Sequence, residues 1–247
     1  MSTHVHIICG AGSAIATALA SRLCRTPHNR IIGFSRDDFR GSIPSEHAAQ
    51  CVWIQCDHSD NAMARAVESL ATHLADDAHI SSVSIFNGLL HDEQLQPERA
   101  LKRVEREHLS RLFESNTIVP LLWLQALVPL LEKNREVTIT TLSARVGSIE
   151  DNQLGGWYGY RASKAALNML LKTASIELAR TLPNVKLIAF HPGTTDTPLS
   201  KPFQKSVPAG KLFSPDFVAE KLINLWGSIK RDRTLSYVDW DSKAINW

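Results

Sequence analysis

The sequence predicts an α/β protein: one domain over residues 1–247, built on a doubly wound parallel sheet of about seven strands with helices on both faces. Three observations predict it. Short, continuous apolar runs alternate with helix-length amphipathic stretches as far as residue 190, as strands buried on both faces require. No Pro/Gly/Ser-rich linker, repeat or low-complexity tract interrupts the series. The first apolar run also ends in a turn of small residues that leads directly into a helical pattern, the connection of a strand–turn–helix unit.

The elements follow in order. Residues 5–9 form an apolar strand, Gly10-Ala11-Gly12-Ser13 a turn, and residues 14–23 a helix by their apolar spacing. Residues 30–35 and 51–55 read as strands, 60–75 as an amphipathic helix and 82–86 as a strand. The charged stretch 89–107 is longer than an ordinary connection and reads as a helix-containing insertion. Residues 108–132 read as one long helix, whose apolar richness from Val119 to Leu131 suits a core or a subunit interface equally. A strand at 137–142, a helix at 158–181 and a strand at 185–190 complete the series. Segment 201–211, with Pro202, Pro208 and Gly210, reads as mobile, and Phe203 and Phe213 make it a candidate substrate lid.

Composition narrows the function classes. Lys and Arg total 27 against 25 Asp and Glu, a net charge of +2, which gives no bulk attraction to nucleic acid or an anionic membrane. With 44% hydrophobic and 21% charged residues, disordered and collagen-like readings are excluded. Cys9, Cys24, Cys51 and Cys56 are scattered without paired CxxC motifs, so reduced, buried thiols are expected rather than a zinc or redox centre. His4 and His6 share a strand face without a third ligand, and no metal is expected. The first residues lack a basic region followed by an apolar stretch, and the apolar run 118–131 is interrupted by Pro120, Gln125 and Pro129. A cytoplasmic protein is expected.

In a doubly wound sheet, ligands bind outside the carboxyl ends of the strands, so the loops there carry the chemistry. The small-residue turn at 10–16 lets backbone approach a pyrophosphate while the next helix presents its N-terminal N–H groups. Tyr160 and Lys164, four apart on a helix, point into one site, where a nearby ammonium favours the phenolate and lowers the tyrosine pKa. Tyr158 serves as the internal control and is assigned to packing.

Together these residues resemble the short-chain dehydrogenase/reductase family, through six motifs in order over nearly the whole chain. Residues 10–16 resemble its TGxxxGIG turn, Asp57 its adenine-site acid and Asn87-Gly88 its NNAG motif. Asn116 and Ser143 resemble its catalytic Asn and Ser, Tyr160 with Lys164 its Tyr-xxx-Lys, and residues 191–197 its Pro-Gly segment. Ser-Ala-Arg-Val-Gly, Tyr-Arg-Ala-Ser-Lys and Asp-Trp-Asp are similar to the subgroup named for the C-factor signalling protein. The resemblance implies a Rossmann fold and a homodimer or homotetramer. It also implies hydride transfer between a nicotinamide and a small carbonyl/alcohol substrate. Tyr160 is then the acid/base, Lys164 lowers its pKa and binds the nicotinamide ribose, Ser143 hydrogen-bonds the carbonyl oxygen, and Asn116 holds a water. Cofactor contacts are expected from Gly10, Gly12, Ser13, Ala14, Ile15, Ser35, Arg36, Asp57, Asn87, Gly88, Pro192, Gly193, Thr195 and Thr197, besides Tyr160 and Lys164.

The departures are equally specific. Cys9 replaces a Thr, Ala14 and Ala16 replace glycines, Phe86 replaces an Asn, and Ser148 stands as a rival to Ser143. The altered turn keeps open a second class, a cofactor-binding regulatory protein without turnover. At the end of the second strand, Ser35 and Arg36 favour the 2′-phosphate of NADP(H) over NAD(H), with Asp37 and Asp38 as competing partners for the arginine. Asp57 is a candidate for the adenine amino group or for capping the next helix, and His91 for substrate contact or a solvated loop position. Residues 230–233 read as a solvated helix end.

Overall fold

The computed structural model describes residues 3–37, 45–74 and 77–247. Seven parallel strands form one sheet: β1 (Thr3–Cys9), β2 (Asn29–Ser35), β3 (Cys51–Gln55), β4 (Ala78–Ile85), β5 (Val137–Leu142), β6 (Val185–His191) and β9 (Ser236–Asp239). Their order is β3-β2-β1-β4-β5-β6-β9, so the chain reverses direction of winding between β1 and β4 and leaves a crevice at their carboxyl ends. A separate two-stranded ribbon, β7 (Thr194–Thr195) with β8 (Leu212–Phe213), follows β6. This is the Rossmann fold expected.

Alternate strand residues feed two cores. Ile8 and Ile31 pack under α1 (Ala14–Leu23) and α6 (Pro215–Ser228), against Leu19 and Leu222. Ile7, Val83 and Ile139 face the other way, toward α2 (Asp60–Thr72), α4 (Val119–Leu127) and α5 (Tyr158–Thr181), against Met63, Trp123 and Leu167. Continuous apolar runs therefore become strands because both faces are covered.

Several expectations change. The helix expected at 60–75 ends at Thr72, and Ala75 and Asp38 lie outside the described residues. The single helix expected at 108–132 is instead α3 (Arg106–Phe113), a π-helical turn (Glu114–Ile118) and α4. Pro120 causes the break: it has no N–H for the carbonyl of residue 116, and its ring displaces that carbonyl. The insertion before α3 holds only a short turn, Leu101–Arg103. Residues 230–233 lie beyond α6 and are not simply solvated: Asp232 meets Lys186 at 2.7 Å and Arg231 meets Glu136 at 3.1 Å. The Lys186 side chain is fully buried. Tyr158, expected to pack, is 39% exposed.

Candidate active site

A cavity of about 1880 Å³ runs along the carboxyl ends of β1, β4, β5 and β6. It contains every catalytic and cofactor residue expected from the sequence except Asn116, which lies just behind its wall.

At one end, Gly10 turns the chain with φ +77°, and a Cβ there would stand 2.9 Å from the Asn87 nitrogen. Only glycine allows that approach. Ser13 caps α1 by accepting from the Ala16 N–H at 3.2 Å, which leaves the first-turn N–H groups of Ala14 and Ile15 without an intrahelical partner. The Ala16 methyl, which replaces a glycine of the family turn, packs into the core beneath α1 and away from the cavity, while Ala14 lines it. Arg36 is exposed at the end of β2, and Gln55 fixes its carbonyl at 2.9 Å. One Asp57 oxygen accepts from the Ser59 N–H and hydroxyl, at 2.9 and 2.7 Å, so this residue does organise the start of α2 while lining the cavity.

Trp123 donates to His58 Nδ1 at 3.2 Å, and the other His58 nitrogen lies 2.9 Å from the Asn87 amide. An indole can only donate, so His58 Nδ1 accepts and Nε2 carries the proton. The Asn87 oxygen then belongs opposite His58, the reverse of the end-for-end placement that leaves Oδ1 unpaired. Burial holds the His58 pKa at about 4, consistent with this neutral ring.

At the other end, α5 presents Tyr160, Lys164 and Asn168 at successive four-residue steps, all buried. Lys164 Nζ donates to the Leu142 carbonyl at 2.9 Å and lies 5.9 Å from the centre of the Tyr160 ring. Gly147 lets its turn rest on α5, since a Cβ would meet Lys164 Cβ at 2.9 Å. Burial pulls Lys164 down to about 8 and pushes the Tyr160 phenol up, the direction opposite to the lowering that a neighbouring ammonium gives. Desolvation disfavours both charges, and on Tyr160 the neighbouring Tyr237 acts in the same direction.

Ser143 lines the cavity, whereas Ser148 is turned to the Trp247 carbonyl at 3.3 Å. Ser143 Oγ donates to Asn168 Oδ1 at 2.7 Å, and Asn168 Nδ2, beside Tyr237, makes no hydrogen bond of good geometry among the described residues. Turned end for end, Asn168 would donate to Ser143 and return the hydroxyl proton to the cavity. Asn116 sits in the π turn. Its Oδ1 accepts from the Leu89 N–H at 2.7 Å, while its Nδ2 donates to the Leu89 carbonyl at 2.8 Å and to Ser163 at 3.1 Å. The Asn116 side chain is thus committed to protein, and a water expected at Asn116 is left to its backbone carbonyl, to which Pro120 offers no N–H.

Three residues escaped the sequence reading. Asn168 was signalled by the same spacing that selects Tyr160 and Lys164. Glu98, 3% exposed, receives the Gly159 N–H on its carboxylate and the Trp157 N–H on its carbonyl, at 3.2 and 2.5 Å, and so clamps the start of α5. Nothing local announces it. Trp157 itself adopts left-handed backbone at φ 53°, a strained conformation for a bulky residue, and packs on Phe203 at 4.9 Å. His91 bonds the Leu199 carbonyl and stacks edge-on to Phe203, bracing the 201–206 turn rather than entering the cavity. Phe213 is anchored between Phe217 and Trp240, so only Phe203 of the two lid candidates faces the site.

Residues 4–207 match the family model described as short chain dehydrogenase. The chain belongs to that family. Among short-chain dehydrogenases, a 1-hydroxy-2-glutathionyl-2-methyl-3-butene dehydrogenase from Rhodococcus sp. (strain AD45) is 41% identical over 139 residues. That match covers 56% of this chain and 58% of the relative's length. The C-signal of Myxococcus xanthus is 28% identical over 148 residues, covering 60% of this chain and 84% of that protein, in keeping with the subgroup resemblance. The fold matches NADPH-bound carbonyl reductase from chicken fatty liver with a TM-score of 0.82 at 19% identity, over the full length of both chains. Among the described residues no helix is long and apolar enough to cross a membrane.

Proposed function

We propose that this short-chain dehydrogenase is an NADP(H)-dependent oxidoreductase acting on a carbonyl/alcohol pair, with Tyr160 as the acid/base. The observation that carries the reading is the Tyr160–Lys164–Asn168 face of α5, buried at the cavity wall beside Ser143. The cofactor fits the residues present. Gly10 lets the turn close against the Phe86–Asn87 backbone while lining the cavity, α1 directs N–H groups at the cavity for a pyrophosphate, and Arg36 is placed for a 2′-phosphate. Asp57, Asn87, Gly88 and the 192–197 segment, with Pro192, Gly193, Thr195 and Thr197, line the remainder. When bound, the nicotinamide supplies hydride in reduction and accepts it in oxidation.

Tyr160 is held as a phenol by burial, the form that gives a proton to a carbonyl oxygen. The Lys164 ammonium then stabilises the phenolate left behind. Ser143 positions the oxygen, and the Asn116 carbonyl offers a relay toward Lys164. A cofactor-binding protein without turnover is the poorer reading, because the Ala16 methyl lies in the core and Ser143, Tyr160 and Lys164 line one cavity. Exposed Ile118, Met169 and Ile176 support a homo-oligomer built on α4 and α5, which light scattering tests, and a cytoplasmic location accompanies the reading. Tyr160→Phe tests the mechanism: turnover falls by at least about a thousandfold while NADPH binding by fluorescence is retained. Sustained turnover in that variant removes Tyr160 from the role.

A further inference from the structure

A second depression of about 740 Å³ adjoins the substrate end of the main cavity. Arg99, Trp157 and Phe203 line both, so the two form one continuous surface. They differ in chemistry. On the main-cavity side the wall beside Tyr160 is apolar: Leu90, Ala144, Val146, Trp157 and Phe203. On the outer side, Arg99 just before the Leu101–Arg103 turn and Lys102 and Arg103 on it lie exposed, and none of their side chains has an ion-pair or hydrogen-bond partner among the described residues.

Two acids, Glu98 and Glu105, share the groove with these three cations and leave it one positive charge in excess, and neither forms an ion pair with Arg99, Lys102 or Arg103 among the described residues. Glu98 is buried with its carboxylate on the Gly159 N–H, and Glu105 faces His108 at 3.7 Å. We propose that this groove takes the carboxylate tail of an elongated, amphipathic substrate whose apolar body crosses Trp157 and Phe203 and whose carbonyl lies at Tyr160. The assignment rests on the reductase reading for the carbonyl end only. Any single exposed ion pair contributes little, but three unpaired cations against two acids along one groove leave a positive local potential, and it acts in a salt-dependent way.

The test compares para-acetylphenoxy pentanoate with its methyl ester, which has the same body and reach without the charge. With NADPH, kcat/KM for the acid exceeds that for the ester by about tenfold, about 1.4 kcal/mol. The ratio falls toward one in Lys102→Ala/Arg103→Ala and in about 0.5 M NaCl, where screening is short-ranged. Both substitutions are on an exposed turn, so folding is retained. Calorimetry with the non-reducible para-ethylphenoxy acid and ester, NADP⁺ present, reads the same preference without turnover. Equal use of both ketones together with equal binding overturns the tail site and leaves the reductase reading standing. Tighter, Lys102- and Arg103-dependent binding of the acid with neither ketone reduced upholds the groove and overturns the reductase reading instead. If neither ketone reacts and the acid and ester bind alike, both readings fall.

Discussion

Replacing Lys164 by Met separates stability from chemistry. Lys164 is 3% exposed, and its pKa is pulled from 10.5 to about 8 by burial alone. The folded state therefore carries a buried charge below about pH 8 that the unfolded chain keeps hydrated. Between about pH 8 and 10.5 the unfolded chain binds more protons, so this cost is relieved as pH rises. At ~1.4 kcal/mol per pH unit, the interval from about 8 to 10.5 amounts to about 3 kcal/mol. Methionine fills a similar volume without the charge but strands the Leu142 carbonyl, which costs about 1–2 kcal/mol. The cofactor-free variant is then more stable at neutral pH by about 1–2 kcal/mol, a rise of several degrees in Tm for a chain of this size. It loses turnover. Urea unfolding of both proteins across the alkaline range reads the effect, since other titrating groups cancel in the difference. A variant less stable than wild type at neutral pH, or a constant gap from pH 8 to 10.5, refutes the argument.

Other expectations are simpler to state. Arg36→Asp removes the cation at the end of β2 and weakens NADPH binding about tenfold or more, with less effect on NADH, in parallel fluorescence titrations; tighter NADH binding by the wild type contradicts the preference. Acid lowers stability: His6 and His191, held at about 4 by burial, are charged in the unfolded chain but neutral in the fold between pH 6.5 and 4. Stability therefore falls as pH drops through that window, by up to about 3 kcal/mol for His6, and His6→Phe flattens the slope seen in urea unfolding. Asn168→Leu keeps the volume but removes the partner of Ser143, so kcat drops about tenfold with NADPH affinity preserved. In a double-mutant cycle its effect is absent on a Ser143→Ala background; additive losses would instead mark Asn168 as packing alone.

Where local pattern carries the information, the sequence reads true. The bounds of α1, α5, β3 and β5 coincide with the stretches at 14–23, 158–181, 51–55 and 137–142. Ser143 over Ser148 needed the fold, because both are buried small polar residues on one connection and only the direction of the chain after β5 exposes the first to the cavity. Strand β9 escaped because Ser236–Asp239 is too short for a window to register and is recruited by β6. The π turn at Glu114–Ile118 was hidden inside an uninterrupted helical pattern, although Pro120 supplies its cause.

By itself the sequence determined the alternation of strands and helices as far as β6, the glycine-led turn, and the helical face that joins Tyr160 to Lys164, since each is set by residues a few positions apart. Tertiary structure alone decided three things. It placed Glu98 against Gly159, 61 positions away, to hold the start of α5. It buried Lys186 on Asp232, 46 positions away. And it set the protonation of the site, because the sign of the Tyr160 and Lys164 shifts comes from desolvation by the surrounding fold. Spacing tells which groups meet; how much water remains around them depends on every element that closes over them.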